Sequence, residues 1–154
     1  MSLSVYHALP FLVNTLLERF FTMTEHKILI VEDDKKSTEL LCDYLVHAGF
    51  NISVQTHGDG VIYEISHNQP ELMALDIVLP DKDGMTSYHE IRAFFTVPIL
   101  LMLIAKGEEI DRLLDLELGA NDYTCKPVSQ RKMIARVKAI LRRATFDELI
   151  KEKN

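Results

Sequence analysis

Lys27-Ile28-Leu29-Ile30-Val31-Glu32-Asp33-Asp34 carries an unbroken β-branched apolar run that ends abruptly in three acids. A short apolar run without polar alternation suits a strand covered on both faces, as at the centre of a parallel sheet. Downstream, Lys35–Ala48 sets Leu40, Leu41, Tyr44, Leu45 and Ala48 at helical spacing, and Gly49 follows as a helix stop. Asn51–Gln55 alternates as a strand, and Asp59–His67 reads as a second helix before Pro70. Leu72–Leu75 is a third strand that runs into Asp76. Turn residues 80–84 then lead to a helix over Met85–Phe95. Pro98–Ile104 is an almost wholly apolar fourth strand, Glu108–Leu118 a fourth helix closed by Gly119, and Asp122–Cys125 a short fifth strand. Ser129 is placed to cap a last helix with Met133, Ile134, Val137, Ile140 and Leu141 inward.

Five strand–helix repeats predict an α/β fold, a doubly wound five-stranded parallel sheet of flavodoxin-like order with helices on both faces. The 154 residues suit one domain and a modest tail, and 47% apolar residues suffice for a core. Seventeen basic against 23 acidic residues leave a net charge of −6, which argues against nucleic acid as a direct partner of this domain. Cys42 and Cys125 form no disulfide or zinc pattern, so a reduced, cytoplasmic setting is expected. The histidines are scattered and none pairs at metal-ligand spacing. The stretch Leu9–Phe21 is too short and too polar to cross a membrane, and it lacks the flanks of a signal peptide. Residues 1–22 read as an appended or mis-assigned leader before Met23. The rival reading is an amphipathic helix presenting Leu9, Leu12, Val13, Leu16, Leu17 and Phe20 to the domain or a partner.

In a doubly wound sheet the ligand sits at the carboxyl ends of the strands. Here those ends carry Glu32-Asp33-Asp34, Asp76, Ala105-Lys106 and Lys126-Pro127. Asp34 reads as a helix cap. Crowded carboxylates repel one another and call for a cation. Mg²⁺, which takes a few carboxylates plus waters and phosphate oxygens, answers that need, and Lys126 adds a mobile positive charge. A carboxylate, a hard cation and a lysine around a central aspartate are what covalent phosphoryl transfer to that aspartate requires, which makes Asp76 the candidate nucleophile.

The blocks KILIVEDD (27–34), LMALDIVLPDKDG (72–84), AKGEEIDRLLDLELGANDY (105–123) and CKP (125–127) resemble the signature of response-regulator receiver domains of two-component systems, the CheY-like fold. The fourth-helix block resembles the OmpR/PhoB subfamily, BaeR-type regulators in particular. The likeness spans about Lys27 to Arg143. It implies a receiver domain at 23–144, with 145–154 as the start of a linker or a C-terminal tail. By resemblance Asp76 accepts the phosphoryl group from a sensor histidine kinase. Glu32, Asp33, Asp76 and the Val78 carbonyl hold Mg²⁺, Lys126 contacts the phosphoryl group ahead of a cis peptide to Pro127, and Tyr123 is the switch aromatic. Phosphorylation would favour a homodimer through the fourth helix, fifth strand and fifth helix, with Arg112, Glu117, Asp122, Arg136 and Lys138 on its face and Asp122–Arg136 as the preferred pair across it. Such a protein is a phosphoacceptor with self-catalysed transfer and dephosphorylation, not a turnover enzyme. Transcription regulation, and any contact with DNA, would come through a winged-helix domain that this chain does not contain.

Two features depart from that pattern. The family places Thr or Ser just before Ala105, as a switch residue that binds the phosphoryl group. Ile104 stands there, the strand holds one residue more than usual, and counting forward from Asp76 lands on Leu103 instead. The extra residue calls for a bulge or reverses the faces of the side chains that follow. Lys132 also stands where an acid would meet Arg112. These departures motivate a second reading, a pseudo-receiver that docks or dimerises without phosphorylation. An aspartate-nucleophile phosphohydrolase of the haloacid-dehalogenase kind would need a second acid at Val78, and a nucleotide-binding protein a glycine-rich loop after the first strand. Neither is present.

Overall fold

The computed structural model describes residues 26–79, 81, 83–104 and 122–153, with backbone alone at Ile104 and Lys153. Its strands are β1 (Lys27–Val31), β2 (Asn51–Gln55), β3 (Leu72–Asp76), β4 (Ile99–Ile104) and β5 (Asp122–Lys126). Its helices are α1 (Lys35–His47), α2 (Val61–Asn68), α3 (Gly84–Phe94) and α4 (Gln130–Lys153). All strand pairings are parallel, in the order β2-β1-β3-β4-β5. This is the flavodoxin-like order expected from the repeats. The chain leaves β1 for β2 on one side and returns to β3 on the other, so the crevice opens where β1 and β3 end.

Alternation along the strands divides the core into two layers. Ile28, Ile30, Leu72, Ala74, Leu100 and Met102 pack with Leu41 and Leu45 of α1 and Met133, Val137 and Ile140 of α4. Leu29, Val31, Met73, Leu75, Ile99, Leu101 and Leu103 pack with Val61 and Ile65 of α2 and Tyr88 and Ile91 of α3. Each fully buried Leu or Ile contributes about 1.5–3 kcal/mol, so the central strands anchor the domain. The caps follow the sequence. Asp34 accepts from the Ser37 N–H at 3.0 Å and opens α1. Gly49, at φ 97°, closes it: its N–H reaches the Val46 carbonyl, and the Phe50 N–H reaches that of Leu45. A positive φ there is nearly strain-free only for glycine. Ser129 accepts from the Lys132 N–H at 3.2 Å, as a cap of α4 should.

One detail differs from the sequence reading, the placement of Asp59, and two others gain definition. Asp59 lies in a 3₁₀ turn, Gly58–Gly60, and α2 starts after it. The tail expected from residue 145 is helical: α4 runs without interruption to Lys153, because no Gly or Pro stands between Ser129 and that end. The extra residue in the fourth strand produces no bulge. β4 pairs in unbroken step with β3, from Met73↔Ile99 to Asp76↔Met102, and with β5, from Leu100↔Asp122 to Ile104↔Lys126. The fourth predicted helix, Glu108–Leu118, and residues 1–22 lie outside the described residues.

Candidate functional site

β1 delivers Glu32 and Asp33 to the mouth of the crevice, β3 delivers Asp76, and β5 delivers Lys126. Glu32 is fully buried and Asp76 nearly so, at 2% exposure, while Asp33 is exposed. Carboxylate oxygens of these three acids all lie within 4.8 Å of one another. The Lys126 ammonium donates to both oxygens of Glu32 and to Asp76 Oδ2, each at 2.8 Å. Asp76 Oδ1 accepts from the Val78 N–H at 3.0 Å. Both oxygens of the central aspartate are therefore held by donors from different elements. The Lys126–Pro127 peptide is cis.

The electrostatics follow from this crowding. Burial first, then the hydrogen bond and charge of Asp76, push the Glu32 carboxyl up to about 8, against the opposing pull of Lys126. Burial works against the Lys126 ammonium, but its bonds to Asp76 and Glu32 outweigh that and raise its pKa. One ammonium faces three carboxyl groups, so the pocket is short of positive charge. A hard divalent cation suits this donor set, which is oxygen only, compact and partly open to water through Asp33. The described residues thus fit Mg²⁺.

The loop from β3 to α3 is anchored at several points. The Gly84 N–H donates to the Ile77 carbonyl at 2.8 Å, Val78 and Asp83 form an antiparallel bridge, and Asp83 caps α3 through the Met85 N–H. Asp81 accepts from the Gly58 and Asp59 N–H groups at 2.9 and 3.2 Å. The Gly58 bond chiefly holds its carboxyl below the usual range. Sequence reading assigned Asp81 only to a turn. Its partners lie in another loop more than twenty residues earlier, and no local pattern could have found them.

The remaining expected residues are placed as follows. Leu103 is 1% exposed and packs in the α2–α3 layer, so of the two candidates for the hydroxyl position it belongs to the core. Ile104 stands opposite Lys126 in the backbone ladder, with its side chain outside the described atoms. Tyr123 is 40% exposed and points outward. The Arg136 guanidinium donates to both Asp122 oxygens at 2.9 Å within the single chain described, so the two residues expected to pair across a dimer are already in contact in the monomer. Lys132 and Lys138 are exposed on α4, and Arg112 and Glu117 lie outside the described residues.

Comparison with known proteins agrees with this geometry. The family described as response regulator receiver domain matches residues 28–138. The transcriptional regulatory protein BaeR of Escherichia coli O6:H1 is 52% identical over 117 residues, 76% of this chain and 48% of that protein. The transcriptional regulatory protein CpxR of Klebsiella pneumoniae is 41% identical over 123 residues, 80% of this chain and 52% of its own length. The chain thus spans about half the length of these relatives. Among solved structures, the BeF₃-activated N-terminal receiver domain of Klebsiella pneumoniae RstA superposes with a TM-score of 0.69 at 35% identity, covering 76% of this chain and 99% of that one. A response regulator from Chloroflexus aurantiacus gives 0.70 at 33% identity, covering 77% and 98%. A family match over most of the chain, a parallel β2-β1-β3-β4-β5 sheet and an acid pocket at its switch point together place this chain in the response regulator receiver domain family.

Proposed function

We propose that this receiver domain is controlled by phosphorylation of Asp76. The observation that carries the reading is the buried Asp76 carboxylate, held by Lys126 and the Val78 N–H beside two further acids. One Asp76 oxygen attacks the phosphorus of a donor. An O–P bond forms as the P–N bond of a kinase phosphohistidine, or the P–O bond of an acyl phosphate, breaks, and the leaving group departs with the electron pair. Glu32, Asp33, Asp76 and the Val78 carbonyl are the ligands proposed for Mg²⁺, which supplies positive charge for the phosphoryl oxygens. Lys126, with three donor hydrogens on a flexible stem, can shift from the carboxylates to a phosphoryl oxygen.

Each chain carries one such group and loses it by hydrolysis, so the domain is a switch and not a turnover enzyme. The donor proposed is a sensor histidine kinase. A groove lined by Leu40, Tyr44, Lys126 and Pro127 shares Lys126 with the pocket and is the surface proposed for the donor's approach. The output proposed is dimerisation and transcription regulation in the cytoplasm, by analogy with the relatives. No helix among the described residues is long and apolar enough to cross a membrane.

With Mg²⁺ and acetyl phosphate, intact mass should show a single phosphoryl adduct that does not form when a chelator is present from the start or in Asp76→Asn. An unmodified wild type, or an equally modified variant, overturns the proposal. The second reading, a docking or dimerisation module independent of phosphorylation, is favoured by one observation: β4 ends in Leu103-Ile104, without a hydroxyl beside the pocket. Dimer formation that is unchanged by the adduct would support it.

A further inference from the structure

Asp76 is held by Val78, in the loop that joins β3 to α3 and meets the turn after β2. The Val78 N–H holds Asp76 Oδ1, and Val78 is bridged to Asp83 across the loop. On its inner side the loop is pinned by Gly84 and by the Asp83 cap. On its outer side Asp81 takes the Gly58 N–H on one oxygen and the Asp59 N–H on the other. A carboxylate gripping two successive backbone N–H groups of a different loop is a two-point brace, and charge-assisted bonds of this kind are the stronger class. Gly58 itself is buried at the start of a 3₁₀ turn whose neighbours His57 and Asp59 are exposed, so the brace joins the exposed Asp81 to one backbone group that is shielded from water and one that is not.

We propose that Asp81 is a positioning residue for Asp76: by bracing the β3–α3 loop against Gly58 and Asp59, it keeps the Val78 N–H on the Asp76 carboxylate and so sets how readily that carboxylate accepts a phosphoryl group. This rests on the phosphoacceptor reading of Asp76. Asp81 touches neither the donor nor the reacting atoms. It acts through Val78, and it offers a contact that a site defined by Glu32, Asp33, Asp76 and Lys126 leaves out.

The test uses the whole chain and two readouts. Amide hydrogen exchange at Val78 in the unphosphorylated protein reads the brace alone. The rate of phosphorylation by acetyl phosphate and Mg²⁺ reads its consequence. Asp81→Ala should speed Val78 exchange and slow phosphorylation roughly ten-fold, the low end of what outer-sphere partners of metal ligands cost. Asp81→Asn keeps one acceptor oxygen and should fall between Ala and wild type on both readouts. If Asp81→Ala folds poorly, Asp59→Pro removes one donor without touching Asp81 and should give a smaller loss in the same direction. The double variant should lose no more than Asp81→Ala alone. Wild-type Val78 exchange in Asp81→Ala overturns the brace. Faster exchange with an unchanged phosphorylation rate overturns the positioning role, as does Asp81→Asn behaving like Ala. Failure of the wild type to phosphorylate overturns the function assigned to Asp76, while Val78 exchange still decides whether the brace exists.

Discussion

Gly84→Ala is the substitution for which the structure makes the sharpest demand. A Cβ at this position would lie 2.4 Å from Ile77 Cα, 2.5 Å from the Asp76 carbonyl oxygen and 2.5 Å from the Ile77 carbonyl oxygen. All three atoms are backbone, so no side chain can swing aside. To reach ordinary van der Waals contact, the start of α3 and the end of β3 must separate by about 1 Å. Ala ought to favour a helical position by about 0.5–1 kcal/mol. Overpacking against fixed backbone costs about 1–3 kcal/mol and outweighs it. The net loss, about 1–2 kcal/mol, lowers the midpoint of thermal unfolding by roughly 3–10 °C. The displaced peptide is the one that follows Asp76. Misplacement by about 1 Å at a reacting group can cost on the order of a hundred-fold in rate. Circular dichroism melting, paired with acetyl phosphate kinetics followed by intact mass, measures both effects. An unchanged or raised midpoint with an undiminished phosphorylation rate would refute the reasoning, since it would mean that the β3–α3 junction can open at no cost.

Lys126→Met removes the ammonium that neutralises Glu32 and Asp76, and breaking such a buried pair should destabilise the metal-free domain by about 1–3 kcal/mol, discounted for the partial exposure of the lysine. The same variant should bind Mg²⁺ more tightly, because the pocket becomes more negative. Calorimetric titration giving equal or weaker binding would contradict the charge account. Arg136→Ala breaks the Asp122 pair inside the chain and, if that pair is exchanged across a dimer on activation, should weaken the BeF₃⁻-induced dimer in sedimentation while leaving the monomer melt nearly unchanged. A dimer of wild-type strength would assign the pair to the monomer alone. Ile104→Thr returns a hydroxyl to the residue opposite Lys126 and should strengthen the coupling between adduct and dimer. An identical dimerisation response would remove Ile104 from the switch.

The sheet and its order were legible because the strands announce themselves: KILIV, LMALD and ILLMLI are apolar without alternation, which only a doubly covered sheet accommodates. The pocket was legible for a related reason. A parallel sheet brings strand ends together, so Glu32, Asp33, Asp76 and Lys126 could be assembled without knowing a distance. Other features depend on partners remote in sequence. Asp81 looks like any turn acid until Gly58 and Asp59 are seen beside it. In the single chain Arg136 meets Asp122, fourteen residues back, a contact that charge patterning alone does not separate from a pair between two chains. The fourth strand was ambiguous because one extra residue can be absorbed by a bulge or by continued pairing. The ladder continues, which commits Leu103 to the core and leaves Ile104 opposite the lysine.

The account stands on Asp76 as the residue that takes the phosphoryl group. Borohydride reduction of the acetyl phosphate-treated protein converts an aspartyl phosphate to homoserine, and peptide mass spectrometry then locates it. The account predicts homoserine at position 76 and at no other carboxylate. Homoserine at Asp33, Asp81 or Asp83, or at no position in a protein that has bound Mg²⁺, would contradict it.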